Sequence, residues 1–435
     1  MSASDLRLDQ APPFTVPLRF FLTAPWFALL AAALLAWQGP EALASRWSPT
    51  TLALTHLFTL GFLAMTMLGA LMQLLPVLAS SPIARPKLVG GAVHGLLTLG
   101  TLALSAGFAA SHPPLLRAAL WLLGGGFALF IAAAGWSLWR ADRANPAVWP
   151  LRLALMALLV TVVFGIIIGI SRTTSAAGSA SAHWTDMHLA WGFLGWVGLL
   201  VMGVAFHVVP MFQLTPAYPA WMTRRLAPLL FAALPAWSLG LLLAPQHSFF
   251  TVMANALAVV IGLGLAAFAI VTLRLQSQRR RQLPDVTLRF WQLAMTSLLA
   301  CVVMGLALRF APGNFPRLEL MLGTWLIAGF ASSAIHGMLY KIVPFLTWLH
   351  LHEQNVRGTL PNMKQIMPDT RTRPQLWIHG VALLLVTVAI LHPGFWVYPA
   401  AATLALSYAW LGWNLSSAYA VFRRHVMEGL INPKM

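Results

Sequence analysis

The sequence is poor in the groups that carry most polar chemistry. Among 435 residues there is one cysteine, Cys301, set in an apolar run. That excludes an intramolecular disulfide, a structural cysteine zinc site and a cysteine-ligated iron–sulfur cluster. Acids are nearly as scarce, with 10 Asp and Glu against 27 Lys and Arg. Charged residues of both signs make up 9% of the chain, where a soluble domain carries about 25%. A soluble enzyme does not fit that figure. A disordered chain is excluded because 59% of the residues are hydrophobic. Proton chemistry by buried carboxylate pairs also lacks material, since Asp186 and Glu319 stand only at the starts of apolar runs. Metal or proton chemistry is left to 13 histidines and 18 methionines.

What the chain has in abundance is long apolar runs. A bilayer-spanning helix needs about 20 mostly apolar residues. Twelve runs qualify: 20–37, 51–78, 88–110, 115–138, 151–170, 187–212, 226–243, 249–273, 290–308, 318–345, 376–391 and 395–422. They are rich in Leu, Ala, Val and Gly and show little alternation, so helices are expected and not a barrel. The first run follows Arg7, Asp9 and Arg19 and lacks a small-residue cleavage site, which reads as a retained helix. With twelve spans, 21 of the 27 Lys and Arg fall on the side of the termini. Five lie on the other side (Arg46, Arg117, Arg172, Arg309 and Arg317), and Lys341 lies within a run. The positive-inside rule then puts both termini in the cytosol, as in a bacterial-type inner membrane. The formal net charge of +17 is thus an orientation signal. Spread over many short loops, it does not make a nucleic-acid surface.

The second, sixth and tenth runs share a pattern. Gly61, Gly195 and Gly329 each stand fifteen residues before a proline, and Gly69, Gly203 and Gly337 each stand seven before it. The prolines, Pro76, Pro210 and Pro344, are spaced by 134 residues (210−76, 344−210). That period equals four helices, so the expected fold is an all-α integral membrane protein. Its twelve transmembrane helices form three pseudo-threefold four-helix repeats in one bundle, at about 17–145, 146–282 and 283–425 of a single domain, 1–435. Small residues at fixed positions let helices approach closely in lipid.

Ionisable side chains inside a span are functional candidates, and neutral imidazole ligates haem iron, copper and zinc. His56 and His188 stand twenty and twenty-two residues before their prolines, near the same level. His183 lies just outside, beside Asp186, which could orient a ligand histidine. His336 is eight before its proline, roughly 18 Å from the level of His56 by helix rise. His207 is three before its proline, where Gln73 and Lys341 match it in the other repeats. The readings as cofactor ligands are His56, His188 and His336, and as metal ligands His183 and His207. Each has an alternative. An interfacial hydrogen bond would explain His56 and His188, a helix–helix hydrogen bond His336, and a polar ring near the cytosolic end His207. His94 and His379, each in a His-Gly pair, read as interface residues, and His350 and His352 as solvated loop residues. Trp47, Trp149, Trp184, Trp221, Trp291 and Trp396 fall near span ends and read as an interfacial belt.

Twelve helices in three four-helix arcs, with a histidine near the start of the second, resemble subunit I of the haem–copper oxidases. The chain looks closer still to the NnrS family, whose second helix carries His, then Gly five later, Gly thirteen later and Pro twenty later. His56, Gly61, Gly69 and Pro76 fit each offset, and Pro17-Leu-Arg-Phe-Phe21 is similar to that family's N-terminal segment. The resemblance implies haem with His56 as an axial ligand, and copper as a second cofactor. It also implies respiratory or nitric-oxide-response chemistry, with an electron-donor protein or quinol as partner besides the lipid bilayer. The sixth helix lacks H-P-E-V-Y, the seventh lacks a His-His pair, and the tenth lacks a mid-helix His-x-His. A haem-binding relative with a simplified site therefore fits better than a full oxygen reductase. If the protein is an enzyme, the expected class is a gas-handling oxidoreductase of nitric oxide or oxygen. The competing function is a membrane transporter of a small solute or metal ion.

Overall fold

The computed structural model describes residues 11–142, 148–173, 182–280, 285–311, 313, 317–353 and 360–431. Among the described residues there is no strand. The chain runs through α1 (Thr15–Gln38), α2 (Pro49–Ala79), α3 (Pro86–Ala109), α4 (Pro113–Arg140), α5 (Val148–Thr173) and α6 (Ala182–Gln213). It continues through α7 (Met222–Leu243), α8 (Ser248–Ser277), α9 (Val286–Phe310), α10 (Leu318–Glu353), α11 (Asp369–Leu391) and α12 (Pro393–Ile431). Of these, the 11 from α1 to α11 are long and apolar enough to cross a membrane. The protein is therefore an all-α, multi-pass membrane protein. Helix α12 contains the expected run 395–422 but is not one of the eleven. Its composition is diluted by groups such as Ser407 and Asn414, which are buried against protein. The Asn414 amide donates to Tyr340 Oη at 2.9 Å, and the Gln375 amide donates to Ser407 Oγ at 3.1 Å.

Neighbours in sequence pack as neighbours in space: α3 on α4, α4 on α5, α7 on α8, α8 on α9 and α11 on α12. Helix α1 packs on both α2 and α12, so the chain closes on itself. Helices α2 and α6 have the most buried apolar windows. Both change winding midway, as does α10. The segments Leu57–Ala64, Trp191–Gly198 and Trp325–Ser332 are π-helical. Each is 8 residues long, and their starts are 134 apart (191−57, 325−191). A π-helix is rare and recurs at functional sites. The pattern of glycines and prolines in the sequence gave no hint of this winding.

The glycines that set the repeat pattern are contact points. A Cβ on Gly61 would stand 2.3 Å from Phe27 Cγ of α1, one on Gly195 2.8 Å from Ala157 Cβ of α5, and one on Gly329 2.8 Å from Ser297 Oγ of α9. The second set repeats the arrangement. A Cβ on Gly69 would stand 2.6 Å from Phe20, one on Gly203 2.7 Å from Pro150, and one on Gly337 2.9 Å from Trp291. Each of α2, α6 and α10 is thus pressed through two glycines onto the helix before it in the bundle. Close backbone approach supplies the dispersion contacts that lipid cannot.

Two expectations about the ends of these helices change. Pro76, Pro210 and Pro344 lie inside their helices, which continue to Ala79, Gln213 and Glu353. And Trp291 is a buried packing residue, wedged at Gly337, whereas Trp47, Trp149, Trp221 and Trp396 are exposed as a belt requires. Gly61→Ala is expected to lower detergent-phase thermal stability by about 1–3 kcal/mol through overpacking. Gly125→Ala, where nothing lies within 4 Å of the new Cβ, should leave the melting temperature unchanged. Equal melting curves for the two variants would contradict the packing role.

Candidate functional site

His56 and His188 come together. On α2, His56 Nδ1 lies 2.7 Å from the Leu52 carbonyl oxygen, one turn back. On α6, His188 Nδ1 lies 3.0 Å from the Thr161 carbonyl oxygen of α5. A carbonyl can only accept, so both rings donate through Nδ1–H and keep a lone pair on Nε2. Neither Nε2 has a hydrogen-bond partner among the described residues. Both rings are half-buried. His56 stacks on Phe108 of α3 with ring centroids 5.5 Å apart. Gly165 of α5 lies beneath the other ring, where a Cβ would be 3.1 Å from His188 Cε1. Arg172, at the end of α5, is within electrostatic reach of His56. Four helices thus contribute to the setting of two imidazoles whose Nε2 lone pairs are left free.

Asp186 does not orient these rings. Its carboxylate accepts from Arg46 at 2.9 Å, and Arg46 also reaches Glu319 at 3.0 Å. The tautomers of His56 and His188 are set by backbone carbonyls instead. Arg46 follows α1, Asp186 opens α6 and Glu319 opens α10, so one guanidinium ties three parts of the bundle together. Inside that tie lies a cavity of about 630 Å³. Its wall is almost wholly apolar, with Phe58, Phe193, Trp237, Ile261 and Leu326 among the lining residues and Arg46, Asp186 and Glu319 at its polar end.

The other expected ligands lie apart from this pair. His183 sits in the first turn of α6, half-buried. His207 is half-buried on the same helix, with its Nδ1 3.4 Å from the Gly203 carbonyl oxygen. His336 is fully buried and its nearest ring is that of His379, with centroids 4.5 Å apart. Sequence reasoning placed His379 at an interface; it is 1% exposed. His350, expected in a solvated loop, is buried on the last turn of α10 and stacks on Phe14 at 5.2 Å. Lys341 is paired with Asp285 at 3.0 Å, just ahead of α9. His94, half-buried on α3, meets Thr23 Oγ1 of α1 at 2.9 Å.

Among the described residues no group of three or more His, Cys, Asp or Glu could hold a metal ion. The pair His56–His188 offers two imidazoles, which suits the axial positions of a haem iron better than a closed zinc site with its four ligands. The orphan Nε2 atoms and the nearby Arg172, a partner for a propionate, fit that group. No protein-family model matches the chain, and no curated protein matches it in sequence.

Arg46 and His379 are the site-forming residues that the sequence did not single out. Arg46 was visible only as one of five basic residues on the sparsely charged side. Its meaning depends on which acids the fold brings near it. Gly165→Val is expected to push the His188 ring off its seat on α5 without removing a ligand atom. A cofactor held there should bind roughly 10-fold more weakly, as when a group orienting a ligand is lost. A titration showing wild-type affinity in Gly165→Val would contradict this placement of His188.

Proposed function

We propose that the protein is a haem-binding membrane protein related to haem–copper oxidase subunit I and closest to the NnrS-like proteins. It would serve respiratory or nitric-oxide-response chemistry in a bacterial-type inner membrane. The observation that carries the reading is the pair His56–His188, each ring fixed through Nδ1 to a backbone carbonyl and each Nε2 left free. The His56, Gly61, Gly69 and Pro76 spacing adds the resemblance. The three π-segments and six glycine contacts, recurring at the 134-residue period, support three four-helix repeats, with α12 as the twelfth span. The 21-to-5 distribution of basic residues supports cytosolic termini.

In this reading His56 and His188 would hold the haem through their Nε2 lone pairs, and Arg172, in the last turn of α5, would offer a positive charge to its carboxylates. Haem, when bound, supplies an iron centre that passes single electrons or binds a small gas. Held by two imidazoles, the group would suit electron transfer from a donor protein or quinol. Phe108 shields the His56 ring from one face. Copper, the second cofactor implied by the resemblance, has no evident role at this pair.

One observation favours a second reading, a transporter of a small solute: the cavity of about 630 Å³ whose lining includes the Arg46–Asp186–Glu319 cluster. Its apolar wall suits a neutral or apolar solute better than an ion. The two readings separate in one preparation. An oxidised-minus-reduced spectrum with metal analysis of the detergent-purified protein should show haem, and His56→Ala and His188→Ala should each lose most of it while eluting as the wild type does. A colourless, iron-free wild-type protein that melts cooperatively would overturn the haem reading, and solute uptake by proteoliposomes would then establish the transporter.

A further inference from the structure

We propose that His336, His379 and Tyr408 form a second, separate site that binds one first-row transition-metal ion, copper or zinc. It uses none of the residues of the His56–His188 pair. His336 belongs to α10, His379 to α11 and Tyr408 to α12, and their exposures are 0%, 1% and 0%. The ring centroids of His336 lie 4.5 Å from those of His379 and 5.3 Å from those of Tyr408, and His379 lies 6.4 Å from Tyr408. Phe290 of α9 stacks on His336 at 5.4 Å, and Phe62 of α2 closes another side at 5.6 Å. Phe62 also meets Tyr408 edge-on at 4.9 Å, so aromatic rings surround the three groups.

The hydrogen bonds fix where the lone pairs are. His336 Nδ1 lies 2.5 Å from the Ser332 carbonyl oxygen, so it donates and Nε2 carries the lone pair. His379 Nε2 lies 3.1 Å from the Ala328 carbonyl oxygen and 3.0 Å from Ser333 Oγ, so Nε2 donates and Nδ1 carries the lone pair. His336 Nε2, His379 Nδ1, Tyr408 Oη and Ser332 Oγ are all buried without a hydrogen bond to any described residue. Buried polar atoms are almost always paired, because leaving one unpaired forfeits its hydration. Two neutral imidazole lone pairs cannot satisfy each other, since both are acceptors. A cation that takes nitrogen ligands satisfies both at once, and Tyr408 Oη is a third donor beside them. Imidazole is a ligand of copper and zinc and a poor one for magnesium or calcium.

The test uses the full chain in detergent, stripped by a chelator, then loaded with zinc(II) or with copper(I) under reductant and desalted. Bound metal per chain is measured by mass spectrometry, and thermal unfolding is followed in parallel. The wild type should retain one zinc or copper ion and melt at a higher temperature when loaded. His336→Gln and His379→Gln should each lower metal affinity by at least roughly tenfold and lose the thermal shift. Tyr408→Phe keeps the ring and its packing, so it reports on the hydroxyl even where a histidine variant fails to fold. Its affinity should fall while its elution profile stays that of the wild type. The proposal is overturned if the wild type retains neither ion, in which case a buried water serves the lone pairs. Undiminished uptake in either histidine variant, or in Tyr408→Phe, overturns it as well.

Discussion

Close approach of helices through glycine is the interaction on which the rest of this molecule depends. In lipid there is no hydrophobic gain from pushing two apolar helices together, so association rests on dispersion contacts and on interhelical polar pairs. Here α2, α6 and α10 each meet α1, α5 and α9 through two glycines eight residues apart. The same stretches contain the π-segments. With those three helices fixed on their neighbours, the faces that bear His56, His188 and His336 are fixed too. The histidines occupy sites set by this packing, and His94, His188 and His379 add hydrogen bonds across it.

The interior solves its polar requirements with very little charge. Asp186 and Glu319 are bound by one arginine, Arg46, and the one lysine in a span is bound by Asp285. Deeper groups use neutral partners. His56, His207 and His336 bond to carbonyls one turn back on their own helices, whereas His188 and His379 reach across to the carbonyls of Thr161 and Ala328. Each such bond removes one nitrogen of the ring from contention and leaves the other defined as a base. A helix carbonyl thereby does the work that a carboxylate performs in soluble metal sites, without placing a negative charge in the membrane.

Much of the architecture was legible because it has a one-dimensional signal. Apolar runs mark the spans, and the recurrence of Gly61 with Gly195 and Gly329 marks the helices that pack closest. The π-winding left no trace, since it is a response to packing and not to local preference. Pro344 sits inside α10, which therefore continues past it and carries His350 into a buried place, where the sequence suggested a solvated loop. Among the candidate ligands, depth along a helix put His56 and His188 near one level, and each ring bonds through Nδ1 to a backbone carbonyl. Depth could not reveal the partner of His336, because His379 lies on α11, whose offset from α10 depends on the intervening turn.

The length of α10 has a geometric consequence. Its 36 residues make a rod of about 54 Å at the α-helical rise, against roughly 30 Å of hydrocarbon. The Lys341–Asp285 pair places a charged level beside the start of α9, and α10 continues twelve residues past it (353−341), about 18 Å. Those last turns are covered by Phe14, which stacks on His350 and meets Phe422 edge-on at 4.9 Å. The far end of α10 is thus tied to the residue just before α1 and to α12 by one aromatic cluster, Phe14 with His350, Tyr419 and Phe422, so three helices distant in sequence share a single clasp.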